Sequence, residues 1–183
     1  MKELVFFLEE PSASAMLDGL LPRILPEEVV YRKIVFEGKQ DLEKRIIKRM
    51  QGYLNPDARF VILRDKDSAD CIALKTKLRN QCMEASRPDT LIRIACYELE
   101  SWYLADLAAV EKGLNIPRLT NFQDKHLFRR PDIVPNPANE LQRIAPSYQK
   151  VSGSRAIGPY LNPENTRSNS FRVFIAGIRR LAS

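Results

Sequence analysis

The chain has 183 residues, of which 44% are hydrophobic and 28% charged, and its formal net charge is +6. This length suits one well-packed domain with an appendage and is too short for two full domains. No apolar run approaches the roughly 20 residues that span a bilayer, and the N-terminus lacks the pattern of a secretory signal. We therefore expect a cytoplasmic protein without a membrane partner.

The positive charge is concentrated near the end of the chain. Residues 1–111 carry 17 Lys and Arg against 19 Asp and Glu, whereas residues 112–183 carry 12 against 4. A basic segment beside acidic residues suits a site that holds a metal ion next to a polyanion. The cysteines, Cys71, Cys82 and Cys96, lack the paired spacing of a zinc site, and we expect them to be buried reduced thiols.

The first 111 residues alternate between strand-like and helix-like patterns. Residues 4–8 form a continuous apolar run, which is typical of a strand buried on both faces, so we predict this strand at the centre of the sheet. Three further strands are predicted at residues 29–36, 59–63 and 91–96. Apolar residues at helical spacing predict a helix after each strand, including one from Trp102 to about Gly113, and Pro22 is expected to kink or shorten the first.

This order predicts an α/β fold with three layers, α/β/α, around a mostly parallel four-stranded sheet. Beyond Gly113 the helices are expected to be short, because 7 of the 12 prolines lie there. The exception is a helical stripe that starts at Phe171 and predicts a final helix packed on the sheet. We divide the chain into a core at residues 1–113 and a Pro-rich basic extension at residues 114–183.

Three of the predicted strands are followed by acidic residues. These are Glu9 and Glu10 after the first strand, Asp65 and Asp67 after the third, and Glu98 and Glu100 after the fourth. Carboxylates at the same edge of a parallel sheet repel one another unless a cation lies among them, and a divalent metal is the usual solution. An Asp-x-Asp also occurs in turns and helix caps, and Glu98 suits the negative charge favoured at a helix start.

The position of the Asp-x-Asp separates several enzyme classes. A haloacid-dehalogenase-type phosphatase carries this motif after its first strand, and a response-regulator receiver needs Ser or Thr where Glu98 stands, so both are disfavoured. A glycosyltransferase that uses Asp-x-Asp to bind a metal and a nucleotide sugar stays open as a minor alternative. No P-loop motif is found, so any nucleotide hydrolysis must come from a partner.

The remaining arrangement, a Glu after the first strand and an Asp-x-Asp after a later one, resembles the Toprim fold of topoisomerases, primases and overcoming-lysogenization-defect nucleases. The chain is most similar to a Toprim-like family of bacterial proteins of unknown function. The segments that carry this resemblance are LEEPS, RDKDSAD, ELESWYLAD, SGSR and NTRSNSF. The chain departs from the family at Glu10, where Gly is usual, and at Ala13, where an acid is common.

The resemblance implies Mg²⁺-dependent (or Mn²⁺-dependent) cleavage or joining of nucleic-acid phosphodiesters. Glu9, Asp65, Asp67 and Glu100 match the catalytic acids, and with Glu98 they form the expected set of metal ligands. Relatives are often encoded beside an ABC-type ATPase, an arrangement typical of anti-phage defence. The alternative is a non-catalytic adaptor that binds an ATPase or nucleic acid and retains a vestigial metal site, which Glu10 in place of Gly favours.

Four basic residues of the extension are candidates for binding DNA or RNA. They are Lys150, Arg155, Arg167 and Arg172, which we expect in Gly- and Ser-rich loops and at a helix start. Backbone N–H groups and guanidinium groups in such places can both bind phosphates. The same arginines can instead pair with nearby acids, and both interpretations stay open.

Overall fold

The computed structural model describes residues 2–183. The strands are β1 (Glu3–Leu8), β2 (Val30–Val35), β3 (Arg59–Asp65) and β4 (Leu91–Ala95). The helices are α1 (Pro11–Ile24), α2 (Lys39–Gln51), α3 (Cys71–Glu84), α4 (Glu100–Leu104), α5 (Leu107–Leu114), α6 (Pro137–Ile144), α7 (Lys150–Ile157) and α8 (Asn169–Ala182).

The four strands form one parallel sheet in the order β2-β1-β3-β4. The predicted α/β class is confirmed, and β1 lies between two neighbours as its continuous apolar sequence indicates. The register pairs Leu8 with Val35 on one side and with Leu63 on the other, so the carboxyl ends of β1, β2 and β3 meet at one edge.

Alternate residues of the strands enter two separate cores. Val5 and Phe7 of β1 pack with α2 and α3 on one face of the sheet, whereas Leu4, Phe6 and Leu8 pack with the remaining helices on the other. This alternation follows from the two-residue period of a strand. The result is a helix–sheet–helix arrangement in three layers.

Two helices differ from the sequence-based expectation. Pro22 lies inside α1, but near its end, and the helix continues to Ile24. The single helix predicted from Trp102 is instead two, α4 and α5, because the chain breaks at Asp106. The Asp106 carboxylate accepts hydrogen bonds from the backbone N–H groups of Ala109 and Asn162, so it caps α5 and holds the extension at the same time.

The segment SGSRAIG was expected to be a loop and is largely helical, forming most of α7. Helix α7 packs against α1, and this contact favours helix despite the weak propensity of its Gly and Ser residues. The chain continues at Gly158, where an added Cβ would lie 2.4 Å from the Met16 carbonyl oxygen of α1. Backbone therefore contacts backbone at this point.

The predicted final helix is confirmed as α8, which begins after a cap at Ser168. The Ser168 side chain accepts a hydrogen bond from the Phe171 N–H, and Asp132 accepts hydrogen bonds from Ser168 and Ser170. The helix lies against β4, where Arg93 donates to the Val173 carbonyl. Phe171 and Phe174 contact Trp102 with ring centroids 5.2 and 5.0 Å apart.

All three cysteines are free, but only Cys82 is buried. The prediction was wrong for Cys71, which is exposed because it is the first residue of α3, and Cys96 is only half-buried. Across residues 2–183 we find no helix long and apolar enough to cross a membrane.

Candidate acidic site at the sheet edge

The acidic residues lie where the strand order reverses. The chain passes from β1 outward to β2 and then returns across β1 to β3, so β1 and β3 are neighbours whose following helices cover opposite faces of the sheet. A crevice therefore opens between the carboxyl ends of these two strands, the usual ligand site of a parallel α/β sheet. Glu9 follows β1 directly, and Asp65 is the last residue of β3.

Asp65 is oriented toward the α1 face of the sheet, as Leu63 is two residues earlier. Burial raises its pKa well above the ordinary value, and the nearby carboxylates of Glu100, Glu9 and Glu10 raise it further. The Leu99 N–H opposes this rise only in part. Asp65 is thus the acid whose ionisation burial and the neighbouring carboxylates oppose.

Glu100 lies at the start of α4 with only 1% of its surface exposed. Burial raises its pKa, although a 2.8 Å hydrogen bond from the Tyr148 hydroxyl and the charge of Lys150 oppose the rise. Tyr103 is fully buried, and burial together with the charges of Glu100 and Asp65 raises its pKa, while the neighbouring Ser154 hydroxyl opposes the rise. A buried phenol thus adjoins these two acids.

Glu9 is 7% exposed and has a different set of neighbours. Its Oε2 accepts a 3.2 Å hydrogen bond from the Asp65 N–H and lies 3.6 Å from Nε of the buried Arg64. Burial raises the Glu9 pKa and the charge of Arg64 opposes the rise. Arg64 also pairs with Glu43 of α2, so one buried guanidinium stabilises two carboxylates.

The other two predicted ligands have partners of their own. Asp67 has a left-handed backbone (φ 51°), which interrupts the strand alternation, and its carboxylate lies 2.9 Å from the Lys39 ammonium at the start of α2. The Glu98 carboxylate accepts a 2.9 Å hydrogen bond from the Ala138 N–H in the first turn of α6. Asp67 and Glu98 still act on the other acids, because the charge of Asp67 raises the pKa of Glu9 and that of Glu98 raises the pKa of Glu100.

Lys150 at the start of α7 lies beside the acidic residues. Its ammonium is 3.2 Å from Glu10 Oε2. Burial lowers its pKa, but the charges of Glu100, Glu10 and Asp65 outweigh this effect and raise it. A lysine of the extension thus supplies positive charge to the acidic edge.

The three arginines of the predicted nucleic-acid surface are dispersed. Arg155 is exposed on α7, Arg167 lies 3.2 Å from Asp124, and Arg172 donates to Asn169 within the first turn of α8. Two of the three thus have local polar partners.

The donor chemistry of the site fits a hard divalent cation. The cleft has a volume of about 10 Å³, which is roughly the room for one water molecule. It is bordered by Glu9, Glu10, Asp65 and the Ser12 hydroxyl. Within residues 2–183 no three His, Cys, Asp or Glu side chains are arranged as a metal-binding group. Mg²⁺ does not require three, because it usually retains several waters and takes one or two carboxylates together with substrate phosphates.

Sequence reasoning missed three residues that shape the site. Lys39 and Tyr148 are distant in sequence from the acids they contact, and no local pattern indicates them. Arg64 does carry a signal, because a charged residue in the apolar run of β3 must be paired when both faces of the strand are covered.

The fold and the site together define an α/β domain with an acidic crevice at the switch point of a parallel sheet. The chain belongs to the family described as domain of unknown function DUF4276, whose model matches residues 8–179. No curated protein and no solved structure matches the chain.

Proposed function

We propose that the protein is a Toprim-like, Mg²⁺- or Mn²⁺-dependent nuclease, or the nuclease subunit of a complex, which cleaves nucleic-acid phosphodiesters. The single observation that carries the proposal is that Glu9 and Asp65 line one cleft at the switch point, where the charges of Glu9, Glu10 and Glu100 raise the Asp65 pKa. The raised pKa values of Glu9 and Asp65 reflect burial and an excess of negative charge, which a bound divalent cation would relieve.

In this proposal Asp65 and Glu9 would hold a metal ion and Glu100 would hold a second one or orient a water. A divalent ion bound there would neutralise a scissile phosphate and activate water for attack at phosphorus. Lys150, whose ammonium lies 3.2 Å from Glu10, would pair with a phosphate oxygen. Asp67 would join this set after its ion pair with Lys39 opens.

A second candidate is an adaptor subunit that binds an ABC-type ATPase or nucleic acid without catalysis. It is favoured by Arg64 and Lys150, whose charges already compensate Glu9 and Glu10 in the absence of metal. We propose anti-phage defence as the setting of either activity, on the strength of the family resemblance alone.

The deciding experiment compares wild-type protein with Asp65→Asn and Glu9→Gln variants on supercoiled plasmid, with Mg²⁺, Mn²⁺ or a chelator, with and without the ATPase encoded nearby. The matched control is Asp57→Asn, the same chemical change at an exposed residue before β3, at the opposite edge of the sheet. We expect metal-dependent nicking by wild type and Asp57→Asn and its loss in the other two. If calorimetry detects no Mn²⁺ binding and the wild type never nicks, the adaptor function is correct.

A further inference from the structure

A groove of about 530 Å³ runs between α2 and the edge strand β2, outside the acidic site. Its lining residues are Ile34, Arg45, Lys48, Arg49, Gly52 and Tyr53. Residues three and four apart share one face of a helix, so the three basic side chains project from α2 on the same side.

Two of these cations form no ion pair. Arg45 pairs with Asp41 at 3.2 Å, but among residues 2–183 neither Lys48 nor Arg49 has a carboxylate oxygen within 4.0 Å, and Arg49 acts on Asp41 only at longer range. The other acid of α2, Glu43, is occupied by Arg64 and Lys77. The exposed face of α2 therefore carries two cations that are available to pair with a ligand.

An aromatic ring held in place lines the groove beside these cations. Tyr53 packs against Phe60 in a T-shaped pair with centroids 5.4 Å apart, and its hydroxyl donates a 2.8 Å hydrogen bond to Glu3. The partly buried Ile34 completes the apolar part of the lining. Cations and an aromatic ring in one groove are the combination that single-stranded nucleic acid binds, through its phosphates and its bases respectively.

The groove and the acidic site lie at opposite ends of α2. The helix begins beside the acidic site, where Lys39 pairs with Asp67, and Arg49 of the groove lies ten residues further on, about 15 Å along the helix axis. A polyanion bound in the groove must therefore extend along α2 before it reaches the crevice between β1 and β3.

We propose that this groove binds the phosphodiester backbone of a nucleic-acid strand, with Lys48 and Arg49 as the phosphate contacts and Tyr53 as the base or sugar contact. The inference rests on the proposed function only in its choice of nucleic acid as the polyanion. It locates the binding surface on α2, not on the basic extension.

The test measures fluorescence anisotropy of labelled 20-nucleotide single-stranded DNA and RNA, and of the corresponding duplexes, in a chelator so that no metal-dependent cleavage occurs. The test variant is Lys48→Gln/Arg49→Gln. The matched control is Lys75→Gln/Arg79→Gln, which removes two exposed cations four residues apart on α3. A third variant, Arg155→Gln/Arg172→Gln, tests the extension.

We expect the test variant to bind a single strand at least tenfold more weakly than wild type. Its slope of log affinity against log salt concentration should be shallower by about 1.4, since each lost phosphate contact removes roughly 0.7. The α3 control should match wild type. Tighter binding of DNA or of RNA identifies the natural source of the strand.

The proposal is overturned if the test variant binds like wild type, if only the Arg155 and Arg172 variant loses binding, or if poly-glutamate or anionic vesicles compete as well as nucleic acid. Strand binding by wild type without nicking in metal would refute the nuclease and leave this surface intact. If the test variant binds the strand as tightly as wild type and still nicks DNA, the proposed groove is refuted and the nuclease proposal stands.

Discussion

At the scale of single residues, Asp65 should make stability depend on pH. Its folded pKa is raised well above the ordinary value by burial and by Glu100, Glu9 and Glu10, so above about pH 4 the folded state binds a proton that the unfolded state has lost. The free energy of unfolding therefore falls as pH rises from about 4 through the folded pKa. Asp65→Asn should match wild type near pH 4 and exceed it at pH 8 in urea unfolding with a chelator. A difference that is the same at every pH would contradict this, and Asp57→Asn, the same chemical change at an exposed residue, is the control.

A divalent cation should restore the unfolding free energy that the protein loses at high pH. In the proposed site, metal binding stabilises the ionised carboxylates that destabilise the metal-free protein at pH 8. At a concentration of Mn²⁺ one hundred times its dissociation constant, wild type should gain about 2.7 kcal/mol of unfolding free energy. Asp65→Asn should gain far less, and removal of the metal by a chelator should restore the original value. An equal gain in both proteins would show that the ion binds elsewhere.

Some residues of the site could be predicted from the neighbouring sequence, whereas others depend on contacts with distant parts of the chain. Glu9 and Asp65 could be predicted, because an apolar run identifies a strand and the next acid must emerge at its end. The different surroundings of Asp67 could not be predicted from sequence. They depend on its left-handed backbone and on an ion pair with Lys39, which belongs to another element. The hydrogen bond that Glu98 accepts from the start of α6 is likewise a tertiary contact, between residues 40 positions apart.

At the scale of elements, the close approach of α1 and the end of α7 should be intolerant of one added methyl group. A Cβ at Gly158 would lie 2.4 Å from the Met16 carbonyl oxygen, so the backbones must separate. We expect Gly158→Ala to lower the unfolding free energy by about 1–3 kcal/mol. Gly52→Ala is the matched control, since its Cβ would meet only the Lys48 carbonyl at 3.3 Å and its φ is −84°. Equal stability of the two variants by urea denaturation would be the contrary result.

The same packing explains why α7 was predicted as a loop. Ser152, Gly153 and Ser154 are weak helix formers, and considered locally they indicate a turn. The buried positions in α7, Gly153 and Ser154 among them, require small side chains, because an added Cβ at Gly153 would lie 2.5 Å from the Tyr148 ring. A composition that disfavours an isolated helix is thus the one that this close contact requires. By contrast α8, with apolar residues at regular helical spacing, could be predicted from its pattern alone.

At the scale of the whole molecule, net charge by segment does not show which cations are free of ion pairs. Residues 1–111 carry two more acidic than basic side chains, yet Lys48 and Arg49 stand unpaired in this half. The acids that lower the total are engaged elsewhere, as Glu43 is with Arg64 and Lys77. In the extension, Arg167 and Arg179 are opposed by Asp124 and Glu164. The charge available to a ligand depends on pairing, which a count along the chain does not contain.

The shared apolar core predicts that residues 1–113 do not fold alone. Met16 and Leu20 of α1 are fully buried in a cluster completed by Ile157 and by Phe171 and Phe174 of α8, so removing the extension would expose this face to water. The intact chain should unfold in one calorimetric transition whose enthalpy equals the van't Hoff value. The fragment 1–113 should show no cooperative transition.

Trp102 is the only tryptophan, and its ring contacts Phe171 and Phe174, so its fluorescence reports whether the two parts of the chain are packed together. Adding residues 114–183 as a separate peptide should shift the Trp102 emission of the fragment 1–113 toward that of the intact protein, because burial of the indole returns. A Trp102→Phe fragment with the same peptide controls for emission from other sources. Two separate transitions in the intact chain, or a fragment 1–113 with native emission and cooperative unfolding, would instead show that the α/β core is an independent folding unit.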